Sequence, residues 1–252
     1  MSTPLVRFLV GGVQKGGTTA LAHYLAQHPG IALPRDKEAH VFDASWFDDA
    51  WDPSAIDAAY APMFEQGAGA RLHGDATPVY CFHPRIVARI ARYNPDMRWI
   101  LILRHPVERA YSHYRMERRR GSERWPFWAA MLFERWRLRG HADDLMPESP
   151  LRRRGYGARG DYARQLDSLL AHFPREQLLL LRNEALARDP AGELARAWRF
   201  LGLETPASAP VPARVFEGGY RPLRRGSLAW AIARWSMKRE LREAELRHGI
   251  GW

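Results

Sequence analysis

A lysine enclosed by glycines and followed by two threonines is the first feature of this chain that could do chemistry. Lys15 stands in the run Gly-Gly-Val-Gln-Lys-Gly-Gly-Thr-Thr, residues 11–19. The mostly apolar residues 5–10 before it predict a buried strand, and the apolar spacing of residues 20–25 predicts a helix. A glycine turn between a strand and a helix directs backbone N–H groups and the positive end of the helix dipole at one place. The run therefore predicts a site for a phosphate or sulfate ester.

The position of the lysine separates this loop from two well-known phosphate-binding loops. A nucleoside-triphosphate loop has the pattern Gly-x-x-x-x-Gly-Lys-Ser/Thr. Here Gly12 and Gly17 have the right separation, but Thr18 follows directly and the lysine lies at position 15. The Gly-x-Gly-x-x-Gly pattern of dinucleotide-binding proteins is also missing. A turn that only connects strand and helix is the alternative interpretation.

A carboxylate and an imidazole two residues apart form the second candidate. Glu38 and His40 stand in the segment Lys-Glu-Ala-His-Val-Phe-Asp, residues 37–43. In extended backbone, residues two apart face the same side, so we expect the two side chains to be neighbours. Such a pair can offer a carboxylate base with an imidazole beside it. An ordinary polar loop is the alternative for this segment.

Two more polar residues fall near the ends of predicted strands. Residues 71–80 predict a strand that brings Asp75 near its end, and Trp99–Leu103 predicts another with Arg104 directly after it. The following helix begins near Pro106 and carries Ser112. Arg104 can hold a phosphate with paired N–H donors, although an arginine in this place is often only an ion-pair partner.

The composition indicates a globular protein with a strong positive charge. The chain has 252 residues, 46% of them apolar, a net charge of +10 and a pI near 10.2. Such a charge suits nucleic acids, acidic lipids, acidic glycans and nucleotides alike. Only three of the 38 basic residues are lysines, namely Lys15, Lys37 and Lys238. The preference for arginine is also typical of a GC-rich genome, so the charge alone does not identify a partner.

Cysteine content and hydropathy give expectations about location. The single cysteine, Cys81, excludes an intrachain disulfide and favours a reducing compartment. The predicted strand begins within a few residues of the N-terminus, which leaves no room for a signal peptide. No apolar run approaches the ~18–20 residues of a membrane-spanning helix. We therefore predict a cytoplasmic protein without a membrane span.

Two segments of the chain resemble the 5'-phosphosulfate and 3'-phosphate motifs of one enzyme family. They are the loop around Lys15 and residues 101–114, which read Leu-Ile-Leu-Arg-His-Pro-Val-Glu-Arg-Ala-Tyr-Ser-His-Tyr. This family is the sulfotransferases that use 3'-phosphoadenosine 5'-phosphosulfate (PAPS). Residues 37–43 look like the carbohydrate-type branch, which includes heparan sulfate sulfotransferases and many bacterial relatives. The similarity extends to about Leu203. It implies a single α/β domain over residues 1–252, with a central parallel sheet flanked by helices and a P-loop-kinase-like shape.

The resemblance also implies roles for individual residues. Lys15 would contact the 5'-phosphate and assist the departing nucleotide, and Glu38 would be the general base, with His40 as its substitute. No metal is required by this scheme. The other candidates for the PAPS site are Gln14, Gly16, Gly17, Thr18, Thr19, Arg104, Ser112 and, within residues 216–225, Arg221. The candidates for the acceptor site are Lys37, His40, Trp46 and Asp75.

The acceptor is the least determined part of the prediction. Where heparan sulfate enzymes have Glu-Lys-Thr-Pro, residues 75–78 read Asp-Ala-Thr-Pro, so a second lysine on the acceptor side is missing. We expect a small molecule, a glycan or a lipid that offers a hydroxyl or an amine, and no nucleic-acid partner. Two rival functions remain open. A P-loop-like nucleotide kinase would need ATP and Mg²⁺, and a non-enzymic nucleic-acid-binding protein would show salt-sensitive binding to any duplex.

Two further segments carry structural expectations. The aromatic residues between Trp125 and Arg139 recur at helical spacing, which predicts one helix with its aromatic side chains in the core; a pocket lined by these side chains is the alternative interpretation. From residue 205 onward we expect a linker, followed by a basic amphipathic helix over 227–247 that packs on its own domain. Contact of this helix with a membrane surface or a partner is the alternative.

Overall fold

A computed structural model describes residues 4–65, 67, 71–206 and 219–252. The chain is divided into two compact units. The first comprises Met1–Leu103 and Ser168–Phe216, and the second comprises Arg104–Asp167 and Glu217–Trp252. Within the described residues, no helix is long and apolar enough to cross a membrane.

Five strands and twelve α-helices lie in the described part of the chain. The strands are β1 (Val6–Gly12), β2 (Ile31–Ala32), β3 (Leu72–Asp75), β4 (Arg98–Leu103) and β5 (Leu178–Arg182). The helices are α1 (Thr18–Leu25), α2 (Pro53–Tyr60), α3 (Pro84–Tyr93), α4 (Pro106–Arg119), α5 (Phe127–Leu132), α6 (Glu134–Arg137), α7 (Pro150–Arg154), α8 (Tyr162–Leu170), α9 (Asn183–Arg188), α10 (Pro190–Leu201), α11 (Leu228–Ser236) and α12 (Lys238–His248).

The first unit is built on a parallel sheet. Its strand order is β2-β3-β1-β4-β5, and all four neighbouring pairs are parallel. The central strands β1 and β4 are almost continuously apolar, which is typical of a sheet covered on both faces. Side chains of α1 and α10 pack with sheet residues in one buried cluster. That cluster includes Phe8, Val10, Leu21, Leu25, Ile100, Ile102, Leu194 and Trp198.

Parallel pairing brings the carboxyl ends of three strands to one edge of the sheet. Leu9 of β1 pairs with Asp75, the last residue of β3, and Gly12 at the end of β1 pairs with Leu101 of β4. In open α/β sheets this is the edge at which ligands bind. The loop after β1 and the turn after β3 therefore lie where a site is expected.

The second unit has an aromatic core formed by helices α4, α5 and α11. Its buried cluster includes Val107, Tyr114, Phe127, Met131, Tyr156, Trp230 and Met237. A buried ion pair joins Arg137 to Glu123 at 2.8 Å, and the hydroxyl of Tyr156 donates to the same carboxylate at 2.9 Å. The carboxylate of Glu123 thus has two partners, and such pairing lowers the cost of its burial.

The predicted aromatic helix between Trp125 and Arg139 is wrong in two respects. The segment forms two short helices, α5 and α6, which meet at Phe133. Phe127, Ala130 and Met131 occupy the buried face, so the other large side chains turn outward. Trp125, Trp128, Leu132, Phe133 and Trp136 are between 38% and 60% exposed.

The predicted C-terminal helix over 227–247 is two helices. Met237 leaves helical geometry at φ −102° and ψ 11°, and its side chain is buried. The break allows Trp230 and Ala233 of α11 to be buried together with Glu240 and Ala244 of α12. The linker that we predicted before these helices lies largely outside the described residues, at 207–218.

Candidate functional site

The glycine loop between β1 and α1 is held close to β4. The amide of Val13 donates to the carbonyl of Ile102 at 3.2 Å, and the amide of Gly16 donates to the carbonyl of Val13 at 2.8 Å. A Cβ on Gly16 would lie 2.2 Å from the backbone oxygen of Ile102, so only glycine fits there. Gly17 has φ 115°, and a Cβ there would approach the side-chain nitrogen of Asn183 to 2.4 Å. These two glycines thus fix the path of the loop.

The loop ends on a helix N-terminus that presents free donors. No side chain caps α1 at Gly17. The first N–H groups of a helix have no intrahelical acceptor, and they carry the positive end of the helix dipole. Thr18 is buried and Thr19 is exposed at this end of the helix. With the half-buried Lys15 before them, the loop offers a cation, hydroxyls and backbone amides, which is a donor set that fits a sulfate or phosphate ester.

The backbone at Lys15 has left-handed geometry. Its φ of 66° lies in a region that residues with a side chain seldom adopt. Lys37 and His40, in the second candidate segment, have φ values of 66° and 53°. Three non-glycine residues in this conformation mark the predicted site, because such strain persists only where the surrounding structure imposes it.

The segment around Glu38 is a turn and not the extended backbone that we predicted. The amide of Lys37 donates to the carbonyl of Pro34 at 2.9 Å, and the amide of Glu38 donates to the carbonyl of Asp36 at 2.7 Å. Glu38 and His40 are nevertheless in contact, with His40 Nε2 3.2 Å from Glu38 Oε2. Positive φ at Lys37 and His40 accompanies this contact, which the two-residue periodicity of extended backbone does not account for.

Alternating charges connect the anion loop to this turn. The Nζ of Lys37 donates to Thr19 Oγ1 at 3.3 Å and contacts Glu38 Oε1. On the other side of Glu38, His40 Nδ1 lies 3.0 Å from both carboxylate oxygens of the buried Asp43. Glu38 therefore stands between two cationic groups, and one of them also touches the first turn of α1. The structure brings together Thr19, Lys37, Glu38 and His40.

These contacts set the protonation states of the pair. Burial raises the pKa of Glu38, but the hydrogen bond from His40 and the charge of Lys37 outweigh it, so the pKa lies below its ordinary value. Hydrogen bonds to Asp43 and then to Glu38 raise the pKa of His40 to about 9 in spite of burial. At neutral pH the pair is a carboxylate beside an imidazolium.

The side chain of Asp75 is not accessible to an acceptor, which corrects our prediction that Asp75 contributes to the acceptor site. Its side chain is fully buried and holds neighbouring elements in place. Oδ1 accepts from the hydroxyl of Thr77 at 2.7 Å and from the amide of Ala39 at 3.2 Å, and Oδ2 accepts from the hydroxyl of Tyr60 at 2.8 Å. Burial raises the pKa of Asp75 while these hydrogen bonds oppose the rise. Asp75 therefore fastens the turn at Ala39 to the end of β3.

The remaining candidate in the first unit lies on an open surface. Trp46 is 53% exposed, and its ring packs against that of Trp51 with the centroids 5.8 Å apart. The two rings do not enclose a pocket that would indicate which ligand they bind. An acceptor contact by Trp46 stays a prediction.

The candidates in the second unit have neighbours that sequence did not indicate. Nε of Arg104 lies 3.6 Å from Glu108 Oε2, and Arg225 lies 2.8 Å from the other oxygen of the same carboxylate. Ser112 is buried on α4, whereas Arg221 is exposed. Residues 216–218 of the predicted nucleotide loop lie outside the described residues. Binding of the 3'-phosphate by Arg104, Ser112 and Arg221 stays a prediction.

Sequence reasoning missed the residues that position the pair. Asp43 is three residues beyond His40, a spacing that could have suggested the contact. Tyr60 and Tyr80 are fully buried, and the hydroxyl of Tyr80 accepts from the amide of Val41 at 2.9 Å. No local pattern ties either tyrosine to the site, because each approaches it through the fold.

Comparisons with known proteins agree on one family. A family model described as "Sulfotransferase domain" matches residues 6–211. Human "Heparan sulfate glucosamine 3-O-sulfotransferase 3B1" is 31% identical over 204 residues, which are 81% of this chain and 47% of that protein. Mouse "Bifunctional heparan sulfate N-deacetylase/N-sulfotransferase 4" is 32% identical over 212 residues, covering 79% of this chain and 22% of that protein. The chain spans about half the length of the first of these relatives.

Solved structures give the same result for the fold. A sulfotransferase from Alicyclobacillus acidocaldarius superposes with a TM-score of 0.76 at 27% identity, covering 100% of this chain and 98% of that chain. The sulfotransferase domain of the Synechococcus PCC 7002 olefin synthase superposes with a TM-score of 0.59 at 17% identity, covering 98% and 96%, and shows the fold alone. The predicted fold class, an α/β fold on a parallel sheet flanked by helices and related in shape to P-loop kinases, is confirmed. That one domain extends over residues 1–252 stays a prediction.

Proposed function

Because the chain belongs to the sulfotransferase family, we propose that it transfers a sulfuryl group from PAPS to a hydroxyl or amine and releases adenosine 3',5'-bisphosphate. The predicted resemblance to PAPS-dependent sulfotransferases of the carbohydrate type is confirmed by the family match and by the heparan sulfate relatives. These comparisons do not favour the nucleotide kinase or the nucleic-acid-binding protein.

The observation that carries this proposal is the position of Lys37. One ammonium group touches both Thr19, at the helix N-terminus of the anion loop, and Glu38, the proposed base. A proton acceptor is therefore held near the place where a sulfate or phosphate ester would lie. Sulfuryl transfer needs this arrangement, since the acceptor must lose its proton beside the group that it attacks.

PAPS supplies the sulfuryl group and the leaving nucleotide. The loop over Gln14, Lys15, Gly16, Gly17, Thr18 and Thr19 would hold its 5'-phosphosulfate with backbone amides, hydroxyls and one ammonium. Lys15 would stabilise the negative charge that grows on the phosphate side as the bond to sulfur breaks. Arg104, Ser112 and Arg221 would hold the 3'-phosphate. Arg104 is paired with Glu108, so we expect nucleotide binding to compete with that ion pair.

Glu38 would accept the proton of the acceptor. Its lowered pKa keeps it ionised at neutral pH, which supports this role. His40, whose pKa is raised to about 9, carries a proton at neutral pH and is better suited to orient Glu38 than to replace it as the base. By analogy with phosphoryl transfer, the step depends on alignment and charge stabilisation, so a weakly basic carboxylate is sufficient.

For the acceptor we propose a glycan or another hydroxyl-bearing molecule. The names of the curated relatives, which refer to glucosamine units of heparan sulfate, support a sugar. The missing lysine in residues 75–78 argues for an acceptor less acidic than heparan sulfate. Lys37, His40 and Trp46 are the proposed contacts. A cytoplasmic location and independence from metal stay predictions.

A thermal-shift experiment separates the proposed function from its rivals. Adenosine 3',5'-bisphosphate at a hundred times its Kd should stabilise the fold by about 2.7 kcal/mol, which for a chain of this size is a Tm increase of about 5–10 °C. ATP with Mg²⁺ should give a smaller increase, and Lys15→Ala should reduce the response to the bisphosphate. Lys238→Ala, which removes a lysine of α12, is the matched control and should keep it. A larger response to ATP with Mg²⁺ would favour the kinase.

Turnover is tested with labelled PAPS and a panel of acceptors. We expect sulfated product with at least one sugar or small hydroxylic compound, and loss of most of this turnover in Glu38→Gln. Transfer from PAPS to no member of a broad panel, together with no response to the bisphosphate, would contradict the proposed function.

A further inference from the structure

Helices α11 and α12 form a cavity with an aromatic floor and a cationic rim. Its volume is about 620 Å³. The floor is made by His105 and Trp230, which are both 8% exposed and have ring centroids 5.0 Å apart. Trp235, which is 59% exposed, and Trp252 add further ring surface. The charged residues around it are Arg234, Lys238, Arg242 and Glu245.

The cations at this cavity differ from the other basic residues of α12. Arg239 pairs with Glu240 and Glu243, and Arg247 pairs with Asp167. Arg234, Lys238 and Arg242 make no ion pair with any residue in the described ranges, and Lys238 lies only over the ring of Trp235, at 5.6 Å. The basic side chains that point away from the cavity are thus neutralised by neighbours, whereas those that line it are not.

Their spacing places these groups on one side of each helix. On α11, Trp230 and Arg234 are four residues apart, and on α12 Lys238 and Arg242 are also four residues apart. Residues four apart are neighbours on a helix surface. Among the charged side chains that line the cavity, three are cations and one, that of Glu245, is an anion, so these side chains give the rim a net positive charge. Nothing in the proposed sulfuryl transfer uses this arrangement.

We propose that this cavity binds a small amphipathic anion, in which a planar ring carries a sulfate, sulfonate or carboxylate group. The ring would pack against the exposed indole of Trp235 and the small exposed part of Trp230, where apolar surface is removed from water. The anion would accept charge-assisted hydrogen bonds from Arg234 and Arg242. An inorganic anion lacks the ring contact, and a neutral ring lacks the charge, so each alone should bind more weakly.

Isothermal titration calorimetry with sodium 2-naphthalenesulfonate tests this site on the full chain. The titration is done with saturating adenosine 3',5'-bisphosphate, so that the probe does not enter the proposed nucleotide site. We expect saturable binding to one site, and binding at least about tenfold weaker in the double variant Arg234→Gln/Arg242→Gln, because charge-assisted hydrogen bonds are lost. Sodium sulfate and 2-naphthalenemethanol should each bind at least about tenfold more weakly than the probe.

The matched control is the double variant Arg239→Gln/Arg247→Gln. It removes the same charge from the same region but leaves the cavity intact, so its affinity should stay within about twofold of the parent chain. Equal weakening in both double variants would mean that only the net charge attracts the probe, and this result would overturn the proposal. Absence of saturable probe binding in the presence of the bisphosphate would also overturn it, as would inorganic sulfate binding as tightly as the probe. Circular dichroism checks that each variant is folded.

Discussion

The substitution Asp43→Asn tests how His40 is kept protonated. Asp43 is buried, and its carboxylate lies 3.0 Å from Nδ1 of His40. The ordinary pKa of the imidazole, 6.5, rises to about 9, and the contact with Asp43 is the largest cause. A pKa that is raised by folding stabilises the folded state fully below about 6.5, and this contribution is lost as pH rises through about 9.

The magnitude follows from the size of this rise and from the exposure of the ring. An increase from 6.5 to about 9 corresponds to roughly 3 kcal/mol if solvent is ignored. Because the His40 side chain is 44% exposed, solvent screening reduces this contribution, and we expect about 1 kcal/mol. In Asp43→Asn the neutral amide supplies no charge, so most of this stabilisation should be absent at pH 6 and the difference from the parent chain should shrink by pH 10.

Two measurements check this reasoning. Urea unfolding at pH 6 and pH 10 gives the free energy of unfolding of the parent chain and the variant. NMR titration gives the pKa of His40 in each. Asp36→Asn is the matched control, since the exposed Asp36 lies in the same turn and contacts His40 in no observed way. An imidazole that titrates near 6.5 in the parent chain, or with the same raised pKa in Asp43→Asn, would refute the reasoning.

Three further predictions concern the loop and its frame. Lys15→Ala and Glu38→Gln should each remove most of the turnover of labelled PAPS while circular dichroism and Tm stay close to the parent chain; near-normal activity in Glu38→Gln would move the base elsewhere. Asp75→Ala should lower the free energy of unfolding in urea by about 2–4 kcal/mol, because it leaves buried donors on Thr77 and Tyr60 without their acceptor; a loss below 1 kcal/mol would contradict the framing role. Gly17→Ala should weaken binding of adenosine 3',5'-bisphosphate by calorimetry, since φ is 115° and Asn183 occupies the space; unchanged affinity would show that the loop tolerates a side chain.

Much of the first unit could be predicted from local pattern. The apolar run before Gly11 identifies β1, and the spacing of Leu21 and Leu25 identifies α1. A buried strand is almost continuously apolar, whereas a helix with one buried face has apolar residues three or four positions apart. Helix α3 shows similar local signals, since proline suits the first helical turn and the buried side chains of Ile86, Ile90 and Tyr93 follow one face.

The geometry of the acid–base pair could not be predicted in the same way. The contact between Glu38 and His40 needs positive φ at Lys37 and His40, and neither residue type signals it. The role of Asp75 depends on Tyr60, which reaches it through the fold. Sequence periodicity tells which residues share a helix face but not which face is covered, and for this reason the exposure of Trp128 was missed.

The way the chain passes between β4 and β5 bears on how such proteins can diverge. These strands are neighbours in the sheet, yet the chain leaves the first unit after Leu103 and returns to it at Ser168. This excursion, residues 104–167, is not a slack loop, because it contributes Val107, Tyr114 and Phe127 to the buried core of the second unit. Insertions should therefore be tolerated mainly at its exposed turns, such as those at Gly121 and Gly140, where an added side chain would meet open space.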